Sequence, residues 1–264
     1  MKKLRSRDYK KIARQRLLGK YGTVIGASFI SGLSVAACLI IAFMSFYGAV
    51  LSENRPGIYG NSAAATAGAA IITALFLIGA VVLLILFMAG EYKLALNIGR
   101  KRQCSIKDIF FAFERGSRPF RFMISYIMVS AAGFALLEGI NTALDLGVDR
   151  GLHPAVLISI AVLCYILYYY IFWGFSFNLY IRTDRPDSGI FEALGESFRL
   201  MRKRRIRLFL ISLSFLPWIF IVYITLGIAI LWLAPYMQLV SVLFYLDAKG
   251  ELIKEETVDE VPVL

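Results

Sequence analysis

All 29 Lys and Arg residues of this chain fall between long apolar stretches, and they crowd into alternate gaps. Nine precede the first stretch in residues 1–21, eight lie in 90–121, eight in 182–207 and two in the C-terminal tail. The intervening gaps, 47–62 and 138–153, hold one each, Arg55 and Arg150. Cationic segments stay on the cytoplasmic side when a chain inserts, so the alternation sets both the number of crossings and their direction. The pattern predicts an all-α, polytopic helical membrane protein with both termini cytoplasmic.

Composition agrees. The residues are 59% hydrophobic and the mean hydropathy is +0.69, too apolar for a soluble domain of 264 residues. The net charge of +11 would point to nucleic acid in a soluble protein. Here it fits juxtamembrane retention signals and attraction to anionic inner-leaflet lipid, about 1 kcal/mol per basic residue near the surface. Membrane lipids are therefore the expected partners, nucleic acid is not, and a protein partner stays open. The first apolar run is far longer than the h-region of a signal peptide and reads as an uncleaved span. Cys38, Cys104 and Cys164 form no disulfide framework, and the two in apolar runs read as small packing residues.

One integral membrane domain, 1–264, is expected, with spans at roughly 23–46, 63–89, 122–144, 154–181, 208–223 and 228–246, then an acidic cytoplasmic tail, 247–264. Each of the first four is long enough for the roughly 30 Å of hydrocarbon. The last apolar block is barely long enough for two helices meeting near Tyr223–Gly227. One crossing plus a re-entrant piece is the alternative, and it would leave five crossings. Small residues line the first span at Gly22, Gly26, Ser28 and Gly32, and open the second at Ala64, Ala65, Gly68 and Ala69. Small-x-x-x-small faces let helices approach closely in lipid, so these two spans should pack as a hairpin.

Each basic segment reads as a short amphipathic helix followed by a hairpin. The clearest begins near Asp187 or Ser188, with Ile190, Leu194, Ser197, Phe198 and Met201 on one face and Glu192, Glu196, Arg199 and Lys203 on the other. Ser105-Ile-Lys-Asp108 has the form of a capping box, before a stripe of Ile106, Ile109, Phe110 and Phe113. The N-terminal copy has Ser6 as cap and Ile12, Ala13 and Leu17 as its apolar side. Three repeats starting near residues 6, 105 and 188 would follow, with the short helices in the inner headgroup layer. A chain with short basic loops can also look repetitive without being so. The basic run Arg202, Lys203, Arg204 and Arg205 is expected to face lipid headgroups.

Ionisable groups at mid-bilayer mark transport paths and intramembrane catalysis. This chain offers few. Glu138, Asn178 and Gln238 are the candidate polar intramembrane positions, and Glu138 can reach the outer interface within a turn or two. Glu91 marks the inner end of the second span, and Asn141 is a further polar position. Asp145, Asp149 and His153 share a helical spacing, but Gly147, Gly151 and Pro154 interrupt it, so a solvated outer loop is expected rather than a metal site. No H-E-x-x-H, Walker glycine loop or G-x-S-x-G occurs. No catalytic, cofactor-binding or metal-binding residue is assigned.

Several stretches together resemble a family of uncharacterised bacterial membrane proteins, the domain-of-unknown-function 975 family. They are Gly19-Lys-Tyr-Gly-Thr-Val-Ile-Gly26, Ala95-Leu-Asn-Ile-Gly-Arg100 leading to Ser105 and Phe113, Tyr180-Ile-Arg-Thr-Asp-Arg-Pro-Asp187 followed by Ala193, Leu194, Ser197 and Met201, and Leu231-Trp-Leu-Ala-Pro-Tyr-Met-Gln238 followed by Phe244 and Tyr245. The resemblance implies a helical, multi-pass protein of a bacterial plasma membrane and carries no reaction or ligand. The expected role is that of a non-enzymatic accessory protein, associated with lipid or envelope or acting as a scaffold. The alternative is a transporter of a small solute or lipid.

Overall fold

The computed structural model describes residues 5–54, 63–114 and 118–252, and among them every regular element is helical. A short helix α1 (Ser6–Leu17) leads into α2 (Tyr21–Asn54) and α3 (Ala63–Gly99). A 3-10 helix (Ile106–Phe113) precedes α4 (Arg118–Asp149) and α5 (Pro154–Phe172). The chain then passes through a second 3-10 turn (Trp173–Phe175) into α6 (Asn178–Asp184). After α7 (Ile190–Met201) come α8 (Arg205–Leu213), α9 (Leu216–Ile224) and α10 (Ile230–Lys249). Six helical stretches are long and apolar enough to cross a membrane: Tyr21–Leu51, Thr66–Gly99, Phe120–Asp149, Pro154–Asp184, Arg205–Ile224 and Ile230–Lys249. The last apolar block thus holds two such helices. Its turn places Leu226 and Gly227 at φ of 50° and 91°, a left-handed pair in which glycine carries the larger angle without cost. Residues 253–264 of the expected tail, and the side chains of Ala64 and Ala65, lie outside the described part.

The three short helices begin alike. An acidic side chain one turn in accepts the backbone N–H of the capping residue: Asp8 from Arg5 at 2.6 Å, Asp108 from Ser105 at 3.0 Å, Glu192 from Gly189 at 3.3 Å. That satisfies an orphaned donor and sets a negative charge against the positive end of the helix dipole. The next residue of each, Tyr9, Ile109 and Ala193, is completely buried. The caps at Arg5 and Gly189 replace the expected Ser6 and Ser188. The middle copy is 3-10 rather than α, which turns Ile109 and Ala112 inward and leaves Ile106, Phe110 and Phe113 exposed.

Each short helix packs on the basic end of a helix that closes a hairpin. The 3-10 helix crosses α3 at Gly90, where any Cβ would run into the Ile109 carbonyl. On α7, Ser197 Oγ donates to the Gly174 carbonyl at 2.9 Å and accepts from Phe177 N at 3.2 Å. Helix α1 reaches the other end of the chain: Tyr9 meets the edge of Phe244 at 5.6 Å, and Tyr236 Oη donates to the Lys10 carbonyl at 3.3 Å.

These contacts place the core at the basic end. It holds Leu94, Leu96 and Ile98 of α3, Phe177 and Ile181 around α6, Met201 of α7, and Leu239, Val240, Leu243 and Phe244 of α10. Packing against this core explains why α3 runs ten residues past Ala89, where its apolar run ends. The opposite halves of the helices are largely exposed. Helix α5 buries no residue, and Phe134, Leu163, Phe220 and Tyr223 are open. Helices α2 and α3 do pair closely, through Ala27, Ser31 and Ala42. Ser45 Oγ donates to the Ala69 carbonyl at 3.0 Å. Gly22, Gly32 and Gly68 meet nothing there.

Gly90→Val should therefore push the 3-10 helix off α3 and cost about 1–3 kcal/mol. Gly68→Ala adds a methyl in open space and should be neutral or slightly stabilising. The yield of monodisperse protein on size-exclusion chromatography in mild detergent separates the two.

Candidate functional site

The ends of α3, α6 and α10 meet at the basic face in one ionic cluster. Arg100, just past α3, grips Asp184 of α6 with two nitrogens, at 2.5 and 2.9 Å. Its Nε donates to Glu251 beyond α10 at 2.9 Å. Lys249 completes the ring, 2.7 Å from Asp184 and 3.0 Å from Glu251. Tyr245 Oη adds a longer bond to Asp184, at 3.3 Å. The Arg100 and Asp184 side chains are only 12% and 11% exposed, so this is a largely desolvated lock of three helices. Burial pushes the Glu251 carboxyl up, but hydrogen bonds from Lys249 and Arg100 outweigh it and hold Glu251 below its ordinary range.

A second polar node ties the two ends of the described chain. Tyr9 Oη donates to Asp247 at 2.7 Å, and Arg204 Nη1 reaches the same oxygen at 3.0 Å. Burial, then the bond to Asp247, hold the Tyr9 phenol well above its ordinary range, so it stays a donor.

The break between α5 and α6 forms the third feature. Arg205 donates to the Tyr170 carbonyl at 3.0 Å, with its guanidinium between the rings of Phe198 (4.1 Å) and Tyr170 (4.5 Å). Beside the break, a cavity of about 260 Å³ opens between α3, α4 and the 3-10 turn, with Tyr92, Tyr126, Ser130, Ser176 and Asn178 as its polar lining. No charged side chain lines it.

The sequence candidates are scattered among these features. Asn178 is 1% exposed and exchanges hydrogen bonds with Ser125, its Nδ2 donating at 2.9 Å and its Oδ1 accepting at 3.3 Å. Glu138 is exposed on α4, and Gln238 is half-buried on α10. Neither lines the cavity that holds Asn178. Asn141 accepts from Tyr165 Oη at 2.6 Å, pairing α4 with α5. Glu91 accepts from Ser31 Oγ at 3.0 Å between α2 and α3. In the basic run, Arg202 and Lys203 are exposed, Arg204 is committed to Asp247, and Arg205 is only 5% exposed. Arg205 thus departs from the expected headgroup-facing position, because it repeats with Leu208 and Ile211 along the buried face of α8. Arg100, Asp184, Tyr9 and Asp247 were not singled out as site residues. Their partners are far away in sequence, and no local pattern announces such a pairing.

Arg100→Gln should leave Asp184 and Glu251 to share Lys249 as their one remaining cation and cost about 3 kcal/mol. Arg100→Gln with Asp184→Asn should cost less than the sum of the two, as a double-mutant cycle on detergent-unfolding curves would read. Glu251 has a lowered folded-state pKa, so its contribution is present above the unfolded value and lost as the pH falls through the folded one. The unfolding midpoint should therefore drop on acidification below about pH 4, and drop less in Glu251→Gln.

No curated protein and no solved structure matches the chain. A family description does match, over residues 1–251. That span takes in all three short helices, the six long apolar stretches and the ionic cluster, so the chain belongs to the DUF975 family of proteins of unknown function.

Proposed function

We propose that the chain is a multi-pass membrane protein whose packed, basic end lies in the cytoplasmic headgroup layer. It works there as a non-catalytic accessory protein, holding lipid or a protein partner. The observation that carries this reading is the division of the molecule. Buried side chains and buried polar networks gather at the end rich in Lys and Arg, while the other ends of the helices expose most of their apolar residues. Aliphatic surface as extensive as that of α5 marks contact with lipid or a partner rather than with water. The three short helices, with acidic caps and one face turned into the core, then lie across the inner surface, and their shared capping and docking support a reading of three units of short helix plus hairpin.

The transporter alternative draws less support. It needs polar groups gathered around one path, whereas Glu138, Asn178 and Gln238 are dispersed and Asn178 is paired with Ser125. The broken helix beside the 260 Å³ cavity is the feature in its favour, since broken helices line binding sites in transporters.

Topology reporters fused after Gly99 and Asp184 should read cytoplasmic, and those after Ser52 and Gly151 should read outside. A cytoplasmic signal after Ser52 would overturn the orientation. In a deletion strain under envelope stress, Glu138→Gln should complement as wild type does. A normally expressed variant that fails to complement would favour transport.

A further inference from the structure

Arg182, on α6 at the basic end, is 3% exposed. It donates one hydrogen bond, from Nη1 to the Ser188 carbonyl at 3.2 Å, and its buried Nε has no partner. Among the described residues no carboxylate pairs with it. Asp184, two residues on, is held by Arg100 and Lys249. Burial disfavours the charge of Arg182, and Arg121, near the start of α4, adds a charge of the same sign rather than a counter-charge. Lys93 of α3 lies 5.0 Å over the ring of Phe111. Phe111 and Arg182 line one small cleft with Ala89, Ala112, Phe122 and Pro186.

A buried guanidinium without a counter-charge, beside a second cation, is strongly unfavourable. Arg205 and Arg207 each bury an unpartnered nitrogen too, but their guanidiniums lie over aromatic rings, Phe198 and Tyr170 for Arg205 and Tyr9 and Phe244 for Arg207, whereas Arg100 has two carboxylates. The three cations come from three different helices, so the positive charge is built by the fold rather than by a local run. The cleft measures about 10 Å³, room for one water-sized group and not for a whole metabolite. An anion that fits must sit at the mouth and insert one atom.

We propose that Arg182, with Arg121 and Lys93, binds a phosphate group that places one oxygen in this cleft. A guanidinium offers a planar set of donors suited to phosphate oxygens, and the flanking cations neutralise the remaining charge. Two sources share this chemistry: the headgroup of an anionic phospholipid and free phosphate. The lipid source rests on the membrane reading above; the site itself does not.

Full-length protein is tested in two arms, by unfolding in detergent with added inorganic phosphate, and in phosphatidylcholine nanodiscs containing increasing phosphatidylglycerol. Phosphatidylglycerol should raise the unfolding midpoint of wild type. Arg182→Gln and Arg121→Gln should need about tenfold more to show the same rise. Arg202→Gln removes an exposed charge at the same end and should respond as wild type does. Arg121 is exposed, so its variant keeps the test open if Arg182→Gln fails to fold. Stabilisation by inorganic phosphate that is lost in the same two variants would assign the site to free phosphate. Equal responses from all three variants, or no response of wild type in either arm, would overturn the proposal. Failure of the membrane reading shows separately, as protein recovered in the soluble fraction of disrupted cells, and leaves the phosphate arm intact.

Discussion

Arg100 is the point on which the basic end of the molecule turns. Helices α3, α6 and α10 meet there through apolar and aromatic side chains, which fix distance well and register poorly. One guanidinium that must satisfy Asp184 and Glu251 together fixes register as well, because a helix sliding by one residue would break a bidentate pair. Lys249 shares both carboxylates, so charge is balanced within the cluster and its desolvation is tolerable. The aromatic stack beneath it, Tyr180 on Tyr245 at 5.8 Å with Phe177 at 5.3 Å from Tyr245, depends on that register.

Placing the core at one end has a physical reason under the membrane reading. Within hydrocarbon, moving an apolar side chain from lipid to protein gains almost nothing, so the outer halves have little to pull them together. At the headgroup level water is present again, and burial of Leu17, Met201 or Ile109 regains its drive. Under the same reading the short helices lie at that depth. They are the devices by which a chain of long apolar helices acquires a conventional hydrophobic core.

Much of this was legible in the sequence. Six apolar stretches between alternating basic gaps gave six helices, and Ser105 with Asp108 gave a cap. Charge alone is less informative: Arg100, Arg204, Arg205 and Lys249 are structural groups with defined partners, while Arg202 and Lys203 are exposed at the surface. For Arg205 a signal existed, since it continues the spacing of Leu208, Ile211 and Phe215, all buried. For Arg100 and Asp184 none did. They stood out only as parts of stretches shared with a family, and their pairing across 84 positions is a property of the fold.

The break between α5 and α6 shows how an interrupted helix is kept where unsatisfied backbone is costly. Three backbone groups freed there have partners from other elements. Arg205 takes the Tyr170 carbonyl, and Ser197 takes the Gly174 carbonyl and the Phe177 N–H. Asn178, the first residue of α6, is bound on its side chain by Ser125 of α4. Ser197 serves two of these groups from α7, so the docking of the third short helix and the break stand or fall together. A side chain bulkier than hydrogen at position 174 would strike Arg205 and Phe198, which is why glycine occupies the one place where α7, α8 and the broken helix converge. Asn178, in the polar lining of the neighbouring cavity, is thus fixed at the same break that seats α7 and α8 on the basic face.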